Sequence, residues 1–237
     1  MIDPNRSRTI VRIPDILNAS NVVSFLRVTA VIFENEKKQT ENYAMDLSYI
    51  KKINVLGMLL IYKIIEFAVE KECFLFPAIY FEDFIEDKFD EYEFIPLINA
   101  YIEQKDSSTK MRDLNVQMTD KFILAPQPLL RNSNFTNIYL KTKFLPKIHE
   151  YYQGKTKVIS MISTCFSEIL LNFWEHAVFD TKSIMIADGN SSYMEIACAD
   201  TGNGILTTLR GNPKYTHLSD EKLKNISATK NVTSKEN

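Results

Sequence analysis

The chain has 237 residues, 45% of them hydrophobic and 24% charged, with a formal net charge of -2. It can therefore bury a sizeable core, and it lacks both the polar excess of a disordered chain and the basic field that drives nucleic-acid binding. Its N-terminus has no apolar signal core, its longest apolar run (Val55 to Ile61) is too short to span a bilayer, and its three cysteines (Cys73, Cys165, Cys198) lack metal-ligand spacing, so a soluble cytoplasmic protein with reduced, buried thiols and no membrane partner is expected.

Thr9 to Ile13 are alternating and β-branched, which predicts a strand ended by Pro14. Apolar residues at Val22, Val23, Leu26, Val28, Ala30, Val31 and Phe33 predict an amphipathic helix over Ala19 to Phe33. A strand over Tyr43 to Leu47, a largely apolar helix over Leu56 to Val69 and an apolar strand over Cys73 to Tyr80 complete a β-α-β pattern that favours a parallel or mixed sheet. Glu82 to Glu93 is acidic with interleaved aromatics and reads as a solvated helix face, since calcium-loop spacing is absent. The most loop-like segment, Glu103 to Asn115, marks the expected domain boundary.

The second half opens with a stretch punctuated by Pro126 and Pro128. Helical periodicity then runs from about Asn137 to Tyr152 and is broken by Gly154. A long helix from about Val158 to Val178 reads as nearly all apolar and hence buried, with Thr164, Glu168, Asn172, Glu175 and His176 forming one polar stripe that must face water or a polar ligand. Two strands, Ser183 to Ala187 and Tyr193 to Ala199, are joined by the turn residues Asp188-Gly189-Asn190-Ser191. Four of the six glycines, Gly189, Gly202, Gly204 and Gly211, follow within a short span.

A helix bearing Glu-x-x-x-Asn-x-x-x-His (Glu168, Asn172, His176), a hairpin, and a strand running into Asp200-Thr201-Gly202-Asn203-Gly204 together resemble the GHKL superfamily, the histidine kinase-like ATPases. The resemblance covers roughly residues 130 to 237. It implies an α+β sandwich of the Bergerat type that binds ATP with Mg²⁺. Asn172 matches the asparagine that holds the metal against the triphosphate, and Glu168 the glutamate that activates the attacking water or hydroxyl. Asp200 matches the acceptor of the adenine amino group, Gly202 and Gly204 let backbone approach the base, and His176 matches a residue near the phosphates. A hard cation wants an oxygen ligand there, and a carboxylate must reach the nucleophile's proton. In the family a lid and further strands follow. Ile226 to Lys235 looks like the run into that lid, so an incomplete lid is expected.

More weakly, Met45-Asp46-Leu47-Ser48 followed by Ile53-Asn54-Val55-Leu56-Gly57 resembles a STAS-like domain. Val55 and Leu56 stand where a phosphoacceptor would be, so switching there is not implied. Gly57 reads as a buried βαβ turn and Ser48 as a cap or turn residue. The expected organisation is an α/β chain with a STAS-like domain over 1–105, a linker over 106–125 and an ATP-binding domain over 126–237. It implies an ATP-dependent switch or protein kinase with a protein partner and a possible homo-oligomer. The alternative is a non-catalytic interaction module with a degenerate ATP fold. Walker-type and Gly-x-Ser-x-Gly motifs are missing.

Overall fold

The structure, a computed structural model, describes residues 8–34, 42–70, 74–80, 82–102, 115–129, 138, 140–176, 183–200 and 204–227. It is a mixed α/β protein in two compact units. One comprises Met1–Pro128 with Ile184–Ala199, the other Leu129–Ser183 with Asp200–Asn237. Among the described residues no helix is long and apolar enough to cross a membrane.

The first unit begins with the expected β-α-β pattern. Strands β1 (Arg8–Arg12), β3 (Asn42–Asp46) and β5 (Phe74–Tyr80) form a parallel sheet in the order β1-β3-β5, while β2 (Ile16–Leu17) and β4 (Lys52–Ile53) make a short parallel pair. Parallel neighbours need a long crossover, which helices α1 (Val22–Glu34) and α2 (Val55–Glu70) supply. A 3-10 turn, Ala19–Asn21, precedes α1, and the Asn18 side chain accepts from Ser20 N at 2.9 Å. The core face of α1 is Phe25, Thr29 and Ile32, all fully buried, with the Thr29 hydroxyl donating to Phe25 O at 2.9 Å.

Helix α2 is buried on all sides. Its glycine has a steric reason: a Cβ on Gly57 would lie 2.5 Å from Leu17 O and 2.9 Å from Ile53 Cγ1, so α2 approaches β2 and β4 as closely as backbone permits. Glu66, also buried, is met by the Tyr62 hydroxyl at 2.8 Å and Lys63 Nζ at 2.9 Å. The acidic segment forms α3 (Asp83–Glu91), with Ile85 and Phe89 inward. Helix α4 (Phe94–Ile102) follows, tolerating Pro96 because it sits in the first turn.

Of the segment 106–125, expected as a linker, residues 116–118 and 122–125 instead lie in strands of a sheet. Strands β6 (Val116–Met118), β7 (Phe122–Pro128), β8 (Ile184–Gly189) and β9 (Met194–Ala199) are antiparallel neighbours in that order. The register breaks between Leu124 and Gln127, at Pro126, which has no N–H to give the ladder; the Tyr101 hydroxyl donates to Pro126 O at 2.9 Å. The turn lies two residues later than expected: Asp188 and Gly189 stay in the ladder, and Asn190 closes it by donating N–H to Tyr193 O at 2.9 Å while its side chain accepts from Ser192 N at 2.8 Å.

Ile123, Ile184, Ile186 and Ala197 belong to the same hydrophobic core as Val11, Phe25, Met45, Met58 and Ile65. The packing therefore crosses the expected boundary between residues 1–105 and 126–237. The physical reason is α2. A helix apolar all round needs cover on more than one side, and β8 and β9 pack directly on it.

The second unit is helical where described. Leu140–Phe144 forms π-type turns leading into α5 (Leu145–Tyr151), and Gly154, at φ 75°, ends that run as its residue type suggests. Then come α6 (Thr156–His176), α7 (Gly204–Arg210) and α8 (Asp220–Ser227). The Phe144 and Phe166 rings stack with centroids 4.5 Å apart, and Leu209, Tyr215 and Leu223 form a small separate cluster. The segment from 228 to 237, which contains most of the run read as leading into a lid, lies outside the described residues.

Candidate functional site

Helix α6 has one buried face, Ile159, Ile162, Phe166, Leu170 and Phe173, spaced three or four residues apart. The expectation of a helix buried nearly all round is corrected here. Met161 is 60% exposed and Leu171 47%, and Val158 and Cys165 are exposed too. Apolar composition had exceeded what a single buried face needs. Cys165 is thus not a buried thiol, Cys198 is half-buried, and neither forms a disulfide; Cys73 lies outside the described residues.

Thr164 and Glu168 lie on the exposed side, as the polar stripe requires. Asn172 follows Glu168 by one turn on the same side of the helix backbone, but the side chains of Asn172, Glu175 and His176 lie outside the described residues. On the flanks, the Ser163 and Ser167 hydroxyls donate to Ile159 O and Ser163 O at 2.8 and 2.9 Å, so they are used within the helix.

Asp200 is exposed and stands immediately after β9. Gly202 lies outside the described residues, whereas Gly204 is the first residue of α7. Helices α6 and α7 pack against each other. The fold therefore brings the helix of Glu168 and Asn172 beside the helix that begins at the end of the glycine loop. Among the described residues no three His, Cys, Asp or Glu side chains are grouped to hold a metal.

A second polar cluster, in the first unit, was not expected. Asp188 and Glu195 are cross-strand partners on the sheet face that meets α2, and the Tyr92 hydroxyl is buried beside the Asp188 carboxylate. Burial first, and then the Asp188 carboxylate, push the Tyr92 hydroxyl far above the usual tyrosine range. Beside them Lys121 Nζ pairs with Glu91 Oε1 at 3.0 Å and Lys88 Nζ with Glu91 Oε2 at 2.8 Å. Burial alone would raise the Glu91 carboxyl, but hydrogen bonds from both lysines and their charge outweigh it and hold it below its ordinary value. The only sequence signal was Asp188 itself, which turn chemistry explained equally well.

Compared with known proteins, the chain matches no family model, no curated protein and no solved structure.

Proposed function

We propose that the chain is an ATP-binding regulatory protein of the histidine kinase-like class, working in the cytoplasm with Mg-ATP as a switch or phosphoryl donor. The observation that carries this reading is one juxtaposition. Glu168 lies on an exposed helix face, and that helix packs against α7, which opens at Gly204, the last glycine of the loop begun by Asp200. In chain order the β8–β9 hairpin separates the two helices, the order that the resemblance requires.

In this reading the Asp200 carboxylate accepts the hydrogen bond of the adenine amino group. Gly202 and Gly204 keep the loop free of side chains so that backbone can lie against the base. The Asn172 side-chain oxygen would hold magnesium, which neutralises phosphate charge when bound. Glu168 is the general base, taking the proton from an attacking water or hydroxyl while His176 lies towards the phosphates. In this reading the N-terminal half is a STAS-like module, with α2 packed on strands β8 and β9.

A non-catalytic interaction module is the second reading, favoured by the outward apolar residues of α1. Calorimetric titration of the full chain with Mg-ATP, wild type against Asp200→Ala, tests the first. Heat of binding in the wild type that is lost in the variant is expected; equal heats overturn the adenine assignment.

A further inference from the structure

The three parallel strands of the first unit end level with one another: Arg12, the last residue of β1, is the register partner of Asp46 in β3, and Asp46 is that of Tyr80 in β5. The carboxyl end of such a sheet is where α/β folds present side chains to ligands. Asp46 is buried there, and the Ser48 hydroxyl and Ser48 N donate to its Oδ1 at 2.5 and 3.0 Å. Its Oδ2 lies 3.6 Å from Arg12 Nε, and the Arg12 guanidinium lies over the Tyr49 ring, 4.3 Å from the centroid. An exposed arginine ordinarily gives up much rotamer freedom when it grips a ligand. Here a braced carboxylate and an aromatic face already hold the side chain, although it is 64% exposed, and among the described residues nothing takes up its two terminal nitrogens.

We infer that Arg12 is the receptor for a phosphate monoester at this end of the sheet, Nη1 and Nη2 each donating to one phosphate oxygen. The planar fork of a guanidinium matches two oxygens of one anion, and Asp46 and Tyr49 hold that fork in place before the ligand arrives. Two further cations favour a phosphate dianion over a carboxylate. Lys51 and Lys52 are both exposed, and their N–H groups donate to Asp15 O at 2.7 and 3.2 Å, which brings them alongside the loop that leaves Arg12. Lys51 Nζ reaches Asp15 Oδ2 only at 3.9 Å, so most of its charge remains for a ligand. A small phosphate ester and a phosphorylated side chain of another protein offer the same group. The inference is independent of the ATP reading, which concerns Asp200 and the glycine loop.

Nitrogen-15 NMR of the full chain at low salt tests it, following the Arg12 Nε–H signal and the amides of residues 47–52 during titration with phenyl phosphate or benzoate. A saturable shift with a dissociation constant of roughly 1 mM is expected for phenyl phosphate, at least about tenfold weaker for benzoate. Arg12→Lys keeps the charge but loses the fork and should abolish saturation, and Tyr49→Leu should weaken binding by about threefold or more. Amide spectra elsewhere should stay unchanged in both variants, and Asp200→Ala should bind phenyl phosphate at Arg12 like the wild type. A pentapeptide with a central phosphoserine distinguishes the sources: tighter binding than phenyl phosphate places the phosphate on a protein, equal binding on a small ester. Absence of a saturable shift at Arg12, undiminished binding by Arg12→Lys, or benzoate binding as tightly as phenyl phosphate overturns the proposal.

Discussion

The side chain of Asn54 ties the start of α2 to strand β9: its oxygen accepts from Gly57 N at 3.0 Å, and its nitrogen donates to Glu195 Oε1 at 3.4 Å. This bond is the polar edge of a shared apolar core, in which Ile184, Ile186 and Ala197 join residues of the N-terminal half. A fragment of residues 1–105 would lose β6 to β9 and expose the side of α2 they cover. It is expected to lack a cooperative thermal transition and to bind hydrophobic dyes, whereas the full chain melts its first unit in one step. A cooperative melt of the isolated fragment would contradict the shared core.

Truncation inside that core should be costly. Ile186 is 1% exposed, so Ile186→Ala is expected to destabilise the first unit by about 2 to 5 kcal/mol, measured by denaturant unfolding.

Gly57 and Gly154 should respond differently to alanine. At Gly57 the added methyl group meets backbone at 2.5 Å, and the displacement should cost about 1 to 3 kcal/mol or more. Gly154 has open space around it, so only its φ of 75° penalises a side chain, by roughly 1 kcal/mol. Unfolding midpoints of the two variants would rank them, and the reverse order would refute the close approach of α2 to β2.

The Glu91–Lys121 pair gives a pH dependence of known sign. The Glu91 carboxyl is held below its ordinary 4.5, so its contribution is present above that pH and is lost as acid protonates it. Lys121 is raised above 10.5, chiefly by its hydrogen bond to Glu91, so its contribution is complete below 10.5 and is lost only at more alkaline pH. With the Lys121 side chain 38% exposed, Lys121→Met should cost no more than about 1 kcal/mol at neutral pH. The gap between variant and wild type should narrow as pH falls below 4.5 in urea unfolding.

Much of this architecture is legible in the sequence because hydrophobic period and crossover length act locally. Strands β1, β3 and β5, both crossover helices and the long α6 all fall within a few residues of their expected positions. What escapes depends on tertiary context. Prolines at 126 and 128 disguise β7, whose bulge absorbs the missing donor, and Pro96 disguises α4, where the first turn tolerates it. The hairpin turn moves because the Asn190 side chain supplies the closing hydrogen bonds, leaving Gly189 in the strand. The burial of α6 is misjudged because composition counts apolar residues without saying which side each occupies. For the candidate site, the exposure of Glu168 and Asp200 and the contact of α6 with α7 are structural facts; the roles proposed for Glu168, Asn172, His176, Asp200, Gly202 and Gly204 come from motif order.

If Asn172 holds the metal, Asn172→Ala should weaken binding of Mg-ATP by about tenfold or more yet leave metal-free ATP nearly unaffected, because only the metal-bound form loses a ligand. Titrations with and without EDTA distinguish the two. Equal losses in both conditions would assign Asn172 to the nucleotide itself or to folding.

If Asp200 reads adenine, competition of ATP against GTP on the full chain will show it. The wild type should prefer ATP by at least about tenfold, since a guanine oxygen facing Asp200 leaves the carboxylate unpartnered, and Asp200→Ala should abolish that preference. Absence of saturable ATP binding, or an adenine preference unchanged in Asp200→Ala, would rule out Asp200 as the adenine acceptor.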